Sequence, residues 1–181
     1  MEALKRDPGE PRAYYLLGIL TADHANHAKA IDLFDRALTL SPQHPEVLAQ
    51  KARSEMALLR RESAVRSADA AAVLAPDDAL TLDTLGVVYS RAGLHDRSLE
   101  FYKRATATAP DVSAYHYNLG AALQFIGHMD EAREAYRRCL MLDPGETRAL
   151  AAIVQITKQT EADNQIAELK AVFPSVAHKA D

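Results

Sequence analysis

The chain has no tryptophan, one cysteine and only seven glycines in 181 residues. Each scarcity excludes something. A lone cysteine, Cys139, cannot close an internal disulfide, which removes the small disulfide-stapled classes. It favours a reducing, cytoplasmic setting, although a cysteine-poor periplasmic protein would share the composition. No apolar run approaches the ~20 residues of a membrane-spanning helix. The opening MEALKRDPGE lacks the apolar stretch of a secretory signal. Basic residues are not in excess: 21 Lys and Arg face 25 Asp and Glu, for a formal net charge of −4. A nucleic-acid partner would want a clustered basic face, so none is expected. Glycine-rich phosphate loops, serine elbows and metalloprotease helix motifs are all missing from the sequence. No cofactor and no catalytic residue is therefore expected.

What the chain does have is alanine and a regular stride of prolines. Pro8, Pro42, Pro76, Pro110 and Pro144 recur at one constant interval. A proline holds the residue before it in extended geometry and cannot sit inside a helix. The chain is thus interrupted at one phase, again and again. A composition of 48% apolar and 25% charged residues suits closely packed helices between those breaks.

Between prolines the apolar spacing predicts helix, short turn, helix. The first pair is expected at 11–23 and 27–40, with Tyr14, Leu17, Gly18 and Thr21, then Ala30, Ile31, Phe34, Ala37 and Leu38, facing inward. The second is expected near 45–58 and 61–74. The third and fourth turn at Ala92-Gly93 and Ile126-Gly127, where glycine favours a left-handed helix cap. A helix follows at 147–158, and a last one near 163–172. Acid pairs such as Asp77-Asp78 and Asp130-Glu131 mark helix starts, where they suit the helix dipole.

Small residues recur ten after each proline, at Gly18, Ala52, Gly86 and Gly120, and again at Ala30, Ala64, Ser98 and Ala132. Twenty-six after stand Phe34, Ala68, Tyr102 and Tyr136, and twenty-nine after stand Ala37, Ala71, Ala105 and Cys139. This register resembles the tetratricopeptide-repeat signature, whose period of about 34 residues matches the stride of the prolines. The resemblance implies an all-α, right-handed α-solenoid of helix-turn-helix repeats. Four repeats would fill 11–144, at 11–44, 45–78, 79–112 and 113–146 by period. Residues 1–10 would be the tail of a truncated repeat helix, 147–174 a degenerate repeat or capping helices, and 175–181 a frayed tail. Lys51, Glu55 and Ala68 depart from the family pattern, so looser packing is expected there.

The resemblance also implies a function. Stacked first helices would line a concave groove that takes a peptide or protein segment, making a non-catalytic interaction module. The groove positions would be Arg12, Tyr15 and Ile19, then Glu46, Gln50 and Arg53, then Asp83, Thr84 and Arg91. Tyr117, Asn118 and Gln124 follow, with Arg148 last. Arginine and asparagine bond directionally, and tyrosine is a common hot-spot anchor. The lysine, asparagine and arginine clamp with which some family members hold a chaperone's terminal carboxylate looks absent, since Tyr15, Ile19, Ala49 and Leu80 occupy those positions.

The seven histidines do not converge by spacing. His24 and His27 alone supply too few ligands for metal bonds of ~2 Å. Cys139 takes the place of small packing alanines and is read as core. A second reading is an N-terminal regulatory or substrate-recognition arm of a larger enzyme. The stretch from Ala149 to Ala167 resembles, weakly, the segment that joins repeats to catalysis in bacterial tetratricopeptide sulfotransferases.

Overall fold

Pro11 and Pro45 stand outside the main stride yet are separated by the same interval. Each opens a helix at its first turn, where a missing N–H costs nothing. The computed structural model describes residues 9–157. These fold into helices α1 (Pro11–Asp23), α2 (His27–Leu40), α3 (Pro45–Ala57), α4 (Arg61–Val73) and α5 (Ala79–Arg91). After them come α6 (His95–Thr108), α7 (Ser113–Ile126), α8 (Met129–Leu142) and α9 (Thr147–Ile156). The described residues contain no strand. The expected helix at 163–172, the tail at 175–181 and the opening residues with Pro8 lie outside the described range. The residues fall into two compact units, one ending at Phe101 and the other starting at Tyr102.

Capping follows the side chains available. Asn26 accepts from the Lys29 N–H at 3.3 Å and Asp78 from the Thr81 N–H at 2.8 Å. Both satisfy donors that the first helical turn leaves free. Asp130 and Glu131 stand in the first turn of α8, as expected from the dipole.

In the first unit α1 pairs with α2 and α3 with α4, and α3 also packs on α2 and α5. The α1–α2 core is Ala30, Phe34, Ala37 and Val47, with Tyr14, Tyr15, Ile19 and Leu38 against it. Gly18 is small for a definite reason. A Cβ there would stand 2.7 Å from Cδ1 of Phe34, a fully buried ring. The second unit repeats the device in α7 and α8, where a Cβ on Gly120 would stand 2.7 Å from the Tyr136 ring. What the glycine admits is an aromatic ring from the partner helix.

The α3–α4 pair has Ala52 and Ala68 at the same two positions, both fully buried. The looser packing expected there does not occur, for α3 and α4 pack as extensively as α1 with α2 and α7 with α8. Small side chains on both helices let them sit close. Glu55, only 4% exposed, is held by Ser63 and Ser67 of α4, whose hydroxyls donate to its two oxygens at 2.7 Å each.

The turns inside the pairs share a backbone state. Ala25, Leu59, Gly93 and Gly127 all have positive φ, of 58°, 59°, 73° and 92°. They too recur at the interval of the prolines. The expected extended geometry before the prolines holds at Ser41 and Asp143. It fails at Ala75, whose φ is 50°. There the last turn of α4 tightens, Leu74 bonding to Ala71 and Ala75 to Ala72. The chain then reverses through Ala75 itself.

Backbone state and ring packing each set a stability outcome. A left-handed non-glycine residue costs ~1–2 kcal/mol, and glycine's extra unfolded freedom offsets ~0.5–1 kcal/mol of that. Leu59→Gly should therefore stabilise by roughly 0.5–1 kcal/mol, read as a raised urea midpoint. Gly120→Ala should destabilise by about 1–3 kcal/mol, because the buried Tyr136 ring must shift. An unchanged midpoint would mean that the ring does not need the space.

Candidate functional site

Two hollows lie along the seam between α1 and α3. The larger, about 420 Å³, is lined by Glu10, Pro11, Arg12, Tyr15, His44, Glu46 and Val47. Its position follows from the paired prolines: Pro11 and Pro45 start both helices, so their first turns share a rim. Tyr15 rests on Phe34, ring centres 6.3 Å apart. Burial raises its phenol's pKa, and the nearby carboxylates of Glu46 and Asp78 raise it further. The neutral hydroxyl is thus a stable donor. His44 stands 3.3 Å from Glu46 across the rim. The guanidinium of Arg12 has no ion-pair partner among the described residues.

The smaller hollow, about 40 Å³, is lined by Ile19, Ala22 and Asp23 of α1, His27 of α2, and Gln50, Arg53 and Ser54 of α3. Six expected groove residues therefore gather on one seam, namely Arg12, Tyr15, Ile19, Glu46, Gln50 and Arg53. Asp83 is half-buried and Arg91 exposed, on α5.

Two expectations need correction. Thr84 is 3% exposed and Gln50 is 8% exposed, so neither presents an open surface. Residues Thr81, Thr84, Leu85 and Val88 form one buried stripe of α5, and Leu82, Gly86 and Tyr89 are buried beside it. A helix flanked on both sides loses the polar face of an edge helix. The same holds for α3, whose Val47, Ala49, Gln50, Ala52, Ser54, Glu55 and Met56 are all buried. Gln50 still reaches a surface through the small hollow.

The second unit gathers the remaining candidates differently. The Arg148 guanidinium lies over the Tyr117 ring at 4.4 Å and donates to Glu146 at 2.8 and 2.6 Å. Tyr117 in turn packs on Tyr136 at 5.8 Å. The Tyr136 hydroxyl donates to Gln124 Oε1 at 2.8 Å. Arg148 and Gln124 are thus already engaged within the fold. Asn118 is half-buried on α7. The bond from Arg148 lowers the pKa of Glu146. Burial pushes that of Tyr136 up to about 12.

Glu10, Asp23, His27 and His44 are lining residues that the groove reading missed. The proline pair was the available signal for Glu10 and His44, which stand at the N-cap positions of the two helices. His27 belongs to a second helix, outside the first-helix positions considered. Other histidines are locally engaged: His24 Nδ1–H donates to the Leu20 carbonyl at 2.8 Å, and His128 stands 2.9 Å from Glu131. Among the described residues no three His, Cys, Asp or Glu side chains converge on a common point. Cys139 is fully buried, as expected of a packing residue. Burial, with Glu146 and Asp143 adding to it, pushes its thiol up to about 11, so it remains protonated. No described helix is long and apolar enough to cross a membrane.

Comparison with known proteins places the fold. Two tetratricopeptide-repeat family models match, one over residues 2–45 and one over 113–146. The human Protein O-mannosyl-transferase TMTC1 is 27% identical over 135 residues, which cover 72% of this chain and 15% of that protein. The chain thus spans less than a sixth of that relative's length. Among solved structures, pilF of Pseudomonas aeruginosa superimposes with a TM-score of 0.77 at 16% identity, over 96% of this chain and 78% of that one. YrrB, described as a TPR protein with an unusual peptide-binding site, gives a TM-score of 0.69 at 17% identity, over 86% of this chain and 80% of that one. At such identities the likeness is one of fold.

The Glu146–Arg148 pair makes a pH test. Glu146 has its folded pKa lowered below the ordinary 4.5, so its stabilisation is present above that value and lost as pH falls below it. At pH 7 the native chain should exceed Glu146→Gln by up to about 1 kcal/mol, the ceiling for exposed pairs. The gap should close on titration from pH 4.5 downward, followed by urea unfolding.

Proposed function

This chain is a tetratricopeptide-repeat protein, and from that premise we propose that it is a non-catalytic module that binds an extended protein segment along the α1–α3 seam. The observation that carries this reading is the placement of Arg12, Tyr15, Ile19, Glu46, Gln50 and Arg53 around two hollows lined by α1 and α3. The large hollow combines an apolar wall, from Pro11, Val47 and the Tyr15 ring, with an unpaired cation and two carboxylates. A side chain with an apolar stem fits the wall, and polar backbone groups of the segment fit the rim. Such a mixed pocket suits hot-spot binding, in which a few anchored residues dominate. YrrB, described as a TPR protein with a peptide-binding site, has a similar fold, which supports peptide binding as the use of this one.

The second reading, an arm of a larger enzyme, draws support from the human transferase, of which a similar repeat segment is only 15%. Both readings use the seam for recognition. They differ in the size of the natural product, which an immunoblot of the source cells would give.

The groove reading is tested by selecting peptides from a random display library on the full chain. Arg12→Glu combined with Tyr15→Ala should weaken the selected peptides by about tenfold or more, the loss of one hot-spot residue. Unfolding curves measured in parallel show whether the variant is folded. Retained affinity in a folded variant would refute the assignment of the large hollow.

A further inference from the structure

The small hollow has a feature that packing does not explain. Gln50 is 8% exposed, yet its carboxamide has no hydrogen-bond partner among the described residues. His27 Nδ1 is buried and also lacks a partner. Asp23 and Arg53 line the same hollow without pairing with each other or with any other described side chain. Native structures satisfy nearly all buried polar groups, so two buried unengaged ones, Gln50 and His27 Nδ1, beside the exposed and unpaired Asp23 and Arg53, mark a place for something else.

We propose that this hollow is a subsite for the side-chain carboxamide of an asparagine or glutamine in the bound segment. This rests on the reading of the seam as a binding groove. The donor set decides the chemistry. Arg53 can only donate and Asp23 can only accept, whereas Gln50 and a neutral imidazole do both. The two formal charges cancel, which favours a neutral ligand. A carboxylate would face Asp23, and an ammonium would face Arg53. A primary carboxamide is a small protein group that offers one acceptor edge and one donor edge. Size agrees: a hollow of 40 Å³, at ~10–15 Å³ per water-sized atom, seats about three. A carboxamide head has that many heavy atoms. Ile19 supplies an apolar side for the methylene stem.

The test has two arms. In the first, the ¹⁵N-labelled full chain is titrated with propionamide, propionate and propylammonium. Propionamide alone should shift the Gln50 side-chain amide and Arg53 Nε resonances in a saturable way. Equal or larger shifts with propionate would overturn the assignment. So would no shift with any probe, which would leave ordered water as the occupant. In the second arm, display-selected peptides should carry asparagine or glutamine at one fixed position. Replacing it by leucine should weaken binding about tenfold, because polar groups would then stay unpaired on the protein side. Gln50→Leu should erase that difference, and Arg53→Gln, at an exposed position, should reduce it. Arg12→Glu should weaken all peptides and leave the ratio unchanged. Peptides that depend on Arg12 but show no carboxamide preference would sink the subsite and spare the groove. Propionamide shifts without any selectable peptide would do the reverse.

Discussion

An aromatic ring seated over a glycine sets the spacing of two helix pairs. Phe34 fills the space above Gly18, and Tyr136 the space above Gly120. Interiors are packed to crystal density, so a ring of that size needs a partner with no Cβ. The other recurrent features are consistent with this contact. Ala30 and Ala132 are fully buried beside the rings, as are Ala37 and Cys139 one turn on. Each pair is then short of bulk on one side and supplied with it from the other.

The α3–α4 pair meets the same constraint by different chemistry. Without an aromatic it brings two alanine faces together, at Ala52 and Ala68. The space near the helix end is filled by a carboxylate, Glu55, bonded by Ser63 and Ser67. A buried carboxylate is tolerated when its oxygens are satisfied, and costly when they are not. The departures from the family pattern are therefore correlated. An acid on α3 goes with two serines on α4, one helical turn apart and so on one face.

Much of the fold was legible because one period governed several independent signals. Proline breaks, small residues, aromatics and turn glycines all repeat at the same interval. Ala25 and Leu59 hid the turn signal in the first two pairs, because neither is a residue that left-handed geometry favours. The site was legible only along its edge. Arg12, Tyr15 and Ile19 sit on α1, where one helix face is open, and their places were readable from phase. On α3 and α5 the neighbours close both flanks, which buried Gln50 and Thr84 against expectation. Phase along one helix carries no information about how many neighbours flank it. Nor does it show that His27, from a second helix, reaches the same hollow as Gln50.

The arginines separate structural from recognition roles. Arg97 lies over Tyr89 at 4.1 Å and pairs with Asp69 at 2.7 Å. Arg148 lies over Tyr117 at 4.4 Å and pairs with Glu146 at 2.6 Å. Each gives its charge to a carboxylate and its plane to a ring, which is the geometry guanidinium suits best. A cation so engaged must break those contacts before it can serve a partner. Arg12 and Arg53 are not held this way, since neither has an ion-pair partner among the described residues. Both line hollows on the α1–α3 seam. Arg60, Arg66, Arg91 and Arg137 share that lack of an ion-pair partner, so an unengaged guanidinium does not by itself mark a recognition surface. Arg12 and Arg53 differ in standing beside Tyr15, Ile19, Glu46 and Gln50, the other expected groove residues that line hollows there.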